Sequence, residues 1–275
     1  MKRILIPTDF SKISYNALKV ACELAKKTDA TLYLMHTIDL PIAYNQTGST
    51  AETSPEGFIY LGAIKKRFAK LLKDKMFDQV RVMQIFEFSS SFDNLNDIAE
   101  KNEIDLILVG TSGASGSKEL ISGSNAEMIV KMAKCPVLSV KMNQKELNFE
   151  NIVFASDFKA EIKSAFYEVK KLAEIFNSKL HLLYVNTPVN FSPNHKIESV
   201  LNEFVKQNAL ENYTVNVYSD YSEEEGIYNF AKSKNIEIVA LGTHARKGLG
   251  QMLRGNLAAN LVNHIEQAVI SVRIA

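Results

Sequence analysis

The sequence predicts two α/β units in one chain, each a doubly wound, mainly parallel five-stranded sheet with helices on both faces. Three observations predict it. Short apolar, partly β-branched runs alternate with longer segments that place apolar residues three and four apart. The whole pattern occurs twice. A glycine loop, Gly110-Thr111-Ser112-Gly113, follows the apolar run Ile104-Asp105-Leu106-Ile107-Leu108-Val109, as ligand loops do at the carboxyl ends of strands in open parallel sheets.

In chain order, residues 2–7 form the first strand, 12–27 the first helix and 31–37 the second strand. The polar stretch Pro41 to Glu56, rich in Thr, Ser and Asn, reads as a long loop, either functional or a neutral insertion. Helices are expected over 57–75, 92–102 and 125–133, with strands over 80–86, 104–109 and 136–141. The unit then repeats. Arg3-Ile4-Leu5-Ile6-Pro7-Thr8-Asp9-Phe10 returns as Asn151-Ile152-Val153-Phe154-Ala155-Ser156-Asp157-Phe158, an offset of 157 − 9 = 148. Asp105 to Thr111 returns as Glu237 to Thr243, and Gly123 as Gly255, at an offset of 132. The first copy therefore carries sixteen extra residues between its second and fourth strands, assigned to 41–56. The two domains are expected over residues 1–143 and 148–275.

Composition excludes several classes of function. The chain of 275 residues is 46% hydrophobic with a formal net charge of +1, enough for two modest cores and too evenly charged for a nucleic-acid surface. No apolar run reaches bilayer length and the first residues do not form a signal peptide, so the expected location is the cytoplasm, away from membranes. Cys22 and Cys135 have no metal-ligand or redox spacing and read as small buried hydrophobes. The five histidines are scattered, His36 and His181 within strand patterns. No metal-site, P-loop or nucleophile-elbow motif is present, so no catalytic residue is assigned.

The glycine loop is suited to phosphate: glycine lets the backbone come close to a ligand, and Gly123-Ser124-Asn125 opens a helix whose free N–H groups attract anions. Pro7-Thr8-Asp9-Phe10-Ser11, Leu34-Met35-His36-Thr37-Ile38-Asp39 and Gly110-x2-Gly113-x9-Gly123-Ser124, followed by Cys135-Pro136-Val137-Leu138-Ser139-Val140, together resemble the universal stress protein family in tandem form. The resemblance implies a Rossmann-like, adenine nucleotide alpha hydrolase-like fold and a stress-response regulator that binds ATP or ADP, with Mg²⁺ as an optional companion. It implies that Asp9, beside Pro7 and Thr8, meets the ribose hydroxyls, and that Thr37 meets adenine through its backbone. It further implies that Gly110, Thr111, Gly113, Gly123, Ser124 and Asn125 line the phosphates and ribose. Asp9 has a second reading, as a residue that stabilises the first turn of the helix after Ser11.

The second copy departs from this pattern. Ala245 stands where the second glycine would be and Asn256 follows Gly255, while Arg246, Lys247 and Arg254 cluster nearby. A methyl group can obstruct backbone approach that added charge does not restore, so one nucleotide site per chain is expected, with the second half supporting or regulating. The two halves should form a pseudo-twofold pair, and whole chains should pair again as homodimers. A slow ATP hydrolase or phosphotransfer enzyme at the same site, and a protein-interaction scaffold with vestigial sites, are the competing functions.

Overall fold

The computed structural model describes residues 1–38, 55–88, 92, 94–112, 123–144, 146–244 and 257–274. In the first half, strands β1 (Arg3–Pro7), β2 (Thr31–Thr37), β3 (Arg81–Glu87), β4 (Leu106–Thr111) and β5 (Val137–Lys141) alternate with helices α1 (Lys12–Thr28), α2 (Pro55–Leu71), α3 (Leu95–Lys101) and α4 (Gly123–Met132). The second half repeats the order with β6 (Asn151–Ala155), α5 (Lys163–Phe176), β7 (Lys179–Asn186), α6 (Asn194–Asn208), β8 (Tyr213–Ser219), α7 (Glu223–Ser233), β9 (Ile238–His244), α8 (Leu257–His264) and β10 (Ala268–Ile274).

Local chemistry sets several of these boundaries. Ser11 caps α1 by accepting from the Ser14 amide, and Asp29 closes the helix in the left-handed conformation. The expected helix over 57–75 stops earlier, at Leu71. There Asp74 accepts from the Met76 amide and starts a separate 3-10 turn, Lys75–Phe77, although the apolar spacing runs on through Leu72 and Met76. At its other end α2 begins at Pro55, a residue suited to the first helical position, so the last two residues of the expected 41–56 loop are helical and residues 41–54 lie outside the described ones. The expected helix over 92–102 is shorter, as α3, because Phe92 enters it through a turn that accepts the Leu95 amide.

All ten strands form one sheet in the order β3-β2-β1-β4-β5-β10-β9-β6-β7-β8. Among the described residues every pairing within a half is parallel, and the single antiparallel pairing joins β5 to β10. At that seam Leu138 faces Ile270, its own counterpart at the 132-residue offset, with Val137 opposite Ser271 and Ser139 opposite Val269. The pseudo-twofold axis therefore passes through the Leu138–Ile270 pair.

The two cores are divided by sheet face, and both run through both halves. Alternate strand residues feed each of them, as the two-residue period of a strand requires. Ile4, Ile6, Leu138, Phe154 and Ile270 pack with α1, α2, α5 and α6 on one face, whereas Leu5, Ile107, Val153 and Val239 pack with α3, α4, α7 and α8 on the other. The sixteen extra residues of the first copy are also split. The offset is 148 at Thr31 and Lys179, which open β2 and β7, and 132 at Arg81 and Tyr213, which open β3 and β8. Between them it is 136 at Phe68 and Phe204, which make equivalent edge-on contacts with Phe10 and Phe158. Twelve residues thus enter before that contact and four after it, in the region of the Lys75–Phe77 turn.

Lys141, at the end of β5, crosses the seam. Its side chain is buried and Nζ donates to the carbonyl of Leu261 (3.4 Å) and to that of Val262, in the last turns of α8. Asn16 Nδ2 donates to the carbonyls of Lys141 and Gln144 at 2.9 and 2.6 Å, fixing the chain as it leaves the first half. Burial pulls the Lys141 pKa from the usual 10.5 down to about 8. Between those two pH values the unfolded chain binds a proton that the folded chain has released, so this lysine makes stability rise with pH across the window. Urea midpoints of wild type and Lys141→Met, compared over that range, should converge or cross, the wild type gaining up to about 3 kcal/mol relative to the variant.

Candidate functional site

The strand order reverses between β1 and β4, and the loops that leave their carboxyl ends open a crevice. Its turn after β1 is built by short polar side chains. Thr8 donates its amide to the Met35 carbonyl at 2.8 Å, and its hydroxyl accepts the Phe10 amide at 3.2 Å, holding Phe10 at a φ of 62°. That left-handed bend is uncommon for a bulky residue. The second half keeps it: Phe158 has a φ of 55° and donates its amide to Ser156 Oγ at 2.9 Å. The bend turns the phenyl ring inward and leaves Asp9 at the crevice rim.

Asp9 Oδ1 accepts the Ser11 amide at 2.9 Å. Partial burial alone would raise its pKa, but hydrogen bonds from Ser11 and Ser14 outweigh that effect and hold it below the ordinary carboxylate value. The group is an anion at neutral pH, able to accept from hydroxyls. Both readings of Asp9 thus have a physical basis in one geometry, because it steadies the turn before α1 while lining the crevice. Ser14 is knit to the same turn, with its Oγ 3.2 Å from Thr8 Oγ1 and 3.1 Å from the Ser11 carbonyl.

His36 reaches this turn from β2. Its Nδ1 lies 2.6 Å from the Thr8 carbonyl, which can only accept, so Nδ1 carries a proton. The imidazole packs on Phe10 at 5.0 Å between centroids, and the Arg67 guanidinium covers the same phenyl ring at 4.4 Å.

Pro7, Thr8, Asp9, Thr37, Gly110 and Asn125 all line this crevice, which encloses about 170 Å³. Gly123 and Ser124 open α4 directly before Asn125, so backbone amides of its first turn lack intrahelical partners. Thr111 stands apart: it is buried in the sheet and its hydroxyl points at the Val140 carbonyl, 3.5 Å away. Gly113 lies outside the described residues. Gly110 has a packing reason for its bareness, since a Cβ there would stand 2.6 Å from the Ile13 carbonyl oxygen of α1. Among the polar residues of this crevice, Ser11, Ser14 and His36 were given no ligand role by sequence reasoning. The three-residue spacing of the two serines at a helix start was a usable signal.

A larger cavity, about 770 Å³, occupies the equivalent place in the second half, with Ser156, Asp157 and Gly242 on its wall. Asp157 is paired there with Lys159 at 2.9 Å. Ala245, Arg246, Lys247, Arg254, Gly255 and Asn256 lie outside the described residues. Elsewhere, Cys22 is buried and Cys135 half-buried, and burial pushes their thiols up to about 12 and about 11, so neither is a thiolate at neutral pH. His181 is held between Asn151 and Thr214 at 2.9 and 2.8 Å, its pKa lowered by burial and then by Lys179 and Lys234. Among the described residues no cluster of three or more metal-ligating side chains occurs, and no helix is long and apolar enough to cross a membrane.

Two doubly wound units that each open a crevice at the β1–β4 type switch point define a tandem α/β protein. The universal stress protein family matches it twice, over residues 1–141 and 148–273, and the chain belongs to that family. A universal stress protein of Methanocaldococcus jannaschii is 35% identical over 154 residues, covering 53% of this chain and 85% of the relative. Universal stress protein YxiE of Bacillus subtilis is 29% identical over 145 residues, covering 50% of this chain and 98% of its own. These relatives correspond to about one half of the chain. A universal stress protein structure from Archaeoglobus fulgidus spans the whole, covering 99% of this chain and 98% of its own with a TM-score of 0.73 at 18% identity, a likeness of fold.

The contacts at Gly110 and Gly242, near the ends of β4 and β9, separate packing from ligand roles. Gly110→Ala drives a Cβ onto backbone and should cost about 1–3 kcal/mol in urea denaturation. Gly242→Ala meets the flexible tips of Ile162 and Ile274 and should cost well under that.

Proposed function

We propose that the first half binds ATP or ADP in the β1–β4 crevice and that the nucleotide acts as a regulatory ligand, stabilising one state of the chain. The observation that supports this reading most directly is the convergence of the β1 turn, the end of β2, the end of β4 and the start of α4 on one polar crevice. Each wall suits one part of the molecule. Asp9, kept ionised by its serine partners, accepts from ribose hydroxyls. The backbone around Thr37 meets the base edge at the end of β2. The amides at Gly123, Ser124 and Asn125 attract phosphate oxygens through the helix dipole, and any Mg²⁺ arrives with the phosphates. The described walls enclose less than the roughly 300–1,000 Å³ of a typical ligand pocket, so base and ribose occupy the crevice while the phosphates extend along the start of α4.

Equilibrium dialysis of nucleotide-free protein against ATP and ADP tests the proposal. About one nucleotide should bind per chain, and Asp9→Ala should weaken binding about tenfold by removing a charged acceptor. Gly123→Val should abolish it by placing bulk at the helix start. Absence of binding at millimolar nucleotide would overturn the reading. Sustained metal-dependent turnover that disappears in Asp9→Ala would instead make the site an enzyme's.

A further inference from the structure

The second crevice keeps Ser156 and Asp157 at the places of Thr8 and Asp9 but is more apolar elsewhere in its walls. At equivalent places in the walls, Ser14 is replaced by Ile162, Thr37 by Val185 and Asn125 by Leu257, so hydroxyl and amide groups give way to hydrocarbon. His36, which fixes the first turn through the Thr8 carbonyl, is replaced by Tyr184. The entrance differs as well. In the first half Arg67 lies over the Phe10 ring, whereas its counterpart at the 136-residue offset is Glu203, which cannot stack on a ring face and instead accepts from Gln207 at 2.8 Å along its own helix. The groove between α6 and the turn at Phe158 is therefore open, and the cavity of about 770 Å³ falls within the range of pockets that hold whole organic ligands. Its apolar wall continues outward to Phe191 and Val200, which are 71% and 40% exposed.

The charges on this wall are unevenly engaged. Asp157 is paired with Lys159, Glu203 is bonded to Gln207, and Glu223 accepts from Asn190 at 3.4 Å and lies in the first turn of α7, where the helix dipole favours it. Glu161 also has a partner. Lys163 and Lys196 line the cavity with no ion pair among the described residues.

We propose that this cavity binds an amphipathic anion, an elongated hydrocarbon body lying between α6 and the β6–α5 turn with a single anionic head at Lys163 and Lys196. A nucleotide suits it less well than the first crevice, because the polar side chains at three of its wall positions, Ser14, Thr37 and Asn125, are replaced by Ile162, Val185 and Leu257, which offer it no hydrogen bond. Hydrocarbon against Ile162, Val185 and Leu257 gains in proportion to the area it removes from water. The two lysines supply the charge-assisted contact that orients the head.

Calorimetric titration of the full chain with dodecanoate, below its micelle concentration, tests the proposal, with dodecanol as the uncharged twin. One saturable site per chain is expected. Restoring the first-half residues, in Val185→Thr combined with Leu257→Asn, should weaken dodecanoate about tenfold or more. Lys163→Gln combined with Lys196→Gln should weaken dodecanoate by a similar factor and leave dodecanol unchanged. Circular dichroism of each variant checks that the fold is retained, and the lysine pair, being exposed, keeps the test valid if the apolar pair unfolds. No saturable binding overturns the proposal, as does binding that neither pair of substitutions alters. Saturation of this cavity by ATP in a Gly123→Val chain, where the first crevice is closed, overturns it in favour of a second nucleotide site.

Discussion

The antiparallel seam between β5 and β10 is the constraint on which the rest of the molecule depends. It turns two five-stranded sheets into one, and it continues both hydrophobic cores from one half into the other. Neither repeat owns a complete core. Each crevice sits on a layer whose packing the opposite half completes, and Lys141 adds a polar tie by reaching from the end of β5 to the end of α8. β4, whose Gly110 lines the first crevice, pairs with β5 as far as Lys141, while α8 begins at Leu257 on the wall of the second. The same elements therefore frame the sites and join the halves.

A second repeated device is the left-handed phenylalanine after each crevice aspartate. Its backbone is costly for a bulky side chain, and in both halves it is held by a hydroxyl two residues back and by edge-on packing against a helical phenylalanine. Divergence between the halves begins around that shared turn. Where the first half sets Ser14, His36 and an arginine cover beside it, the second sets Ile162, Tyr184 and Glu203 at those places and leaves the entrance open.

Much of the fold was legible because two simple periods encode it. Buried strands such as Ile4-Leu5-Ile6 and Leu106-Ile107-Leu108 read as apolar runs, and α1 reads from its spacing and its serine cap. The seam was not legible in this way, since Val137–Lys141 is buried throughout and an apolar run does not state which neighbour covers its edge. The end of α2 was overrun for a related reason: Leu72 and Met76 continue the apolar period, and only the Asp74 cap interrupts it. At the site, Asp9 and Gly110 stood out by their place after strands and Thr37 through the family resemblance alone, whereas His36 read as a strand residue until its bond to Thr8 was seen. The second cavity depends on which side-chain tips face one another across α6 and the β6–α5 turn. A one-dimensional pattern carries no such information.

The self-facing pair Leu138–Ile270 has a consequence for how such a chain can change over time. A residue on the axis meets its own counterpart, so a substitution there alters one side of a symmetric contact and leaves the other behind, while Val137 and Ser139 must each remain compatible with the opposite half's version of their neighbour. Crevice residues face no such reciprocity. The molecule is thus rigidly matched along its middle and free to specialise at its two ends, which lets a duplicated protein keep one architecture while its halves acquire different chemical tastes.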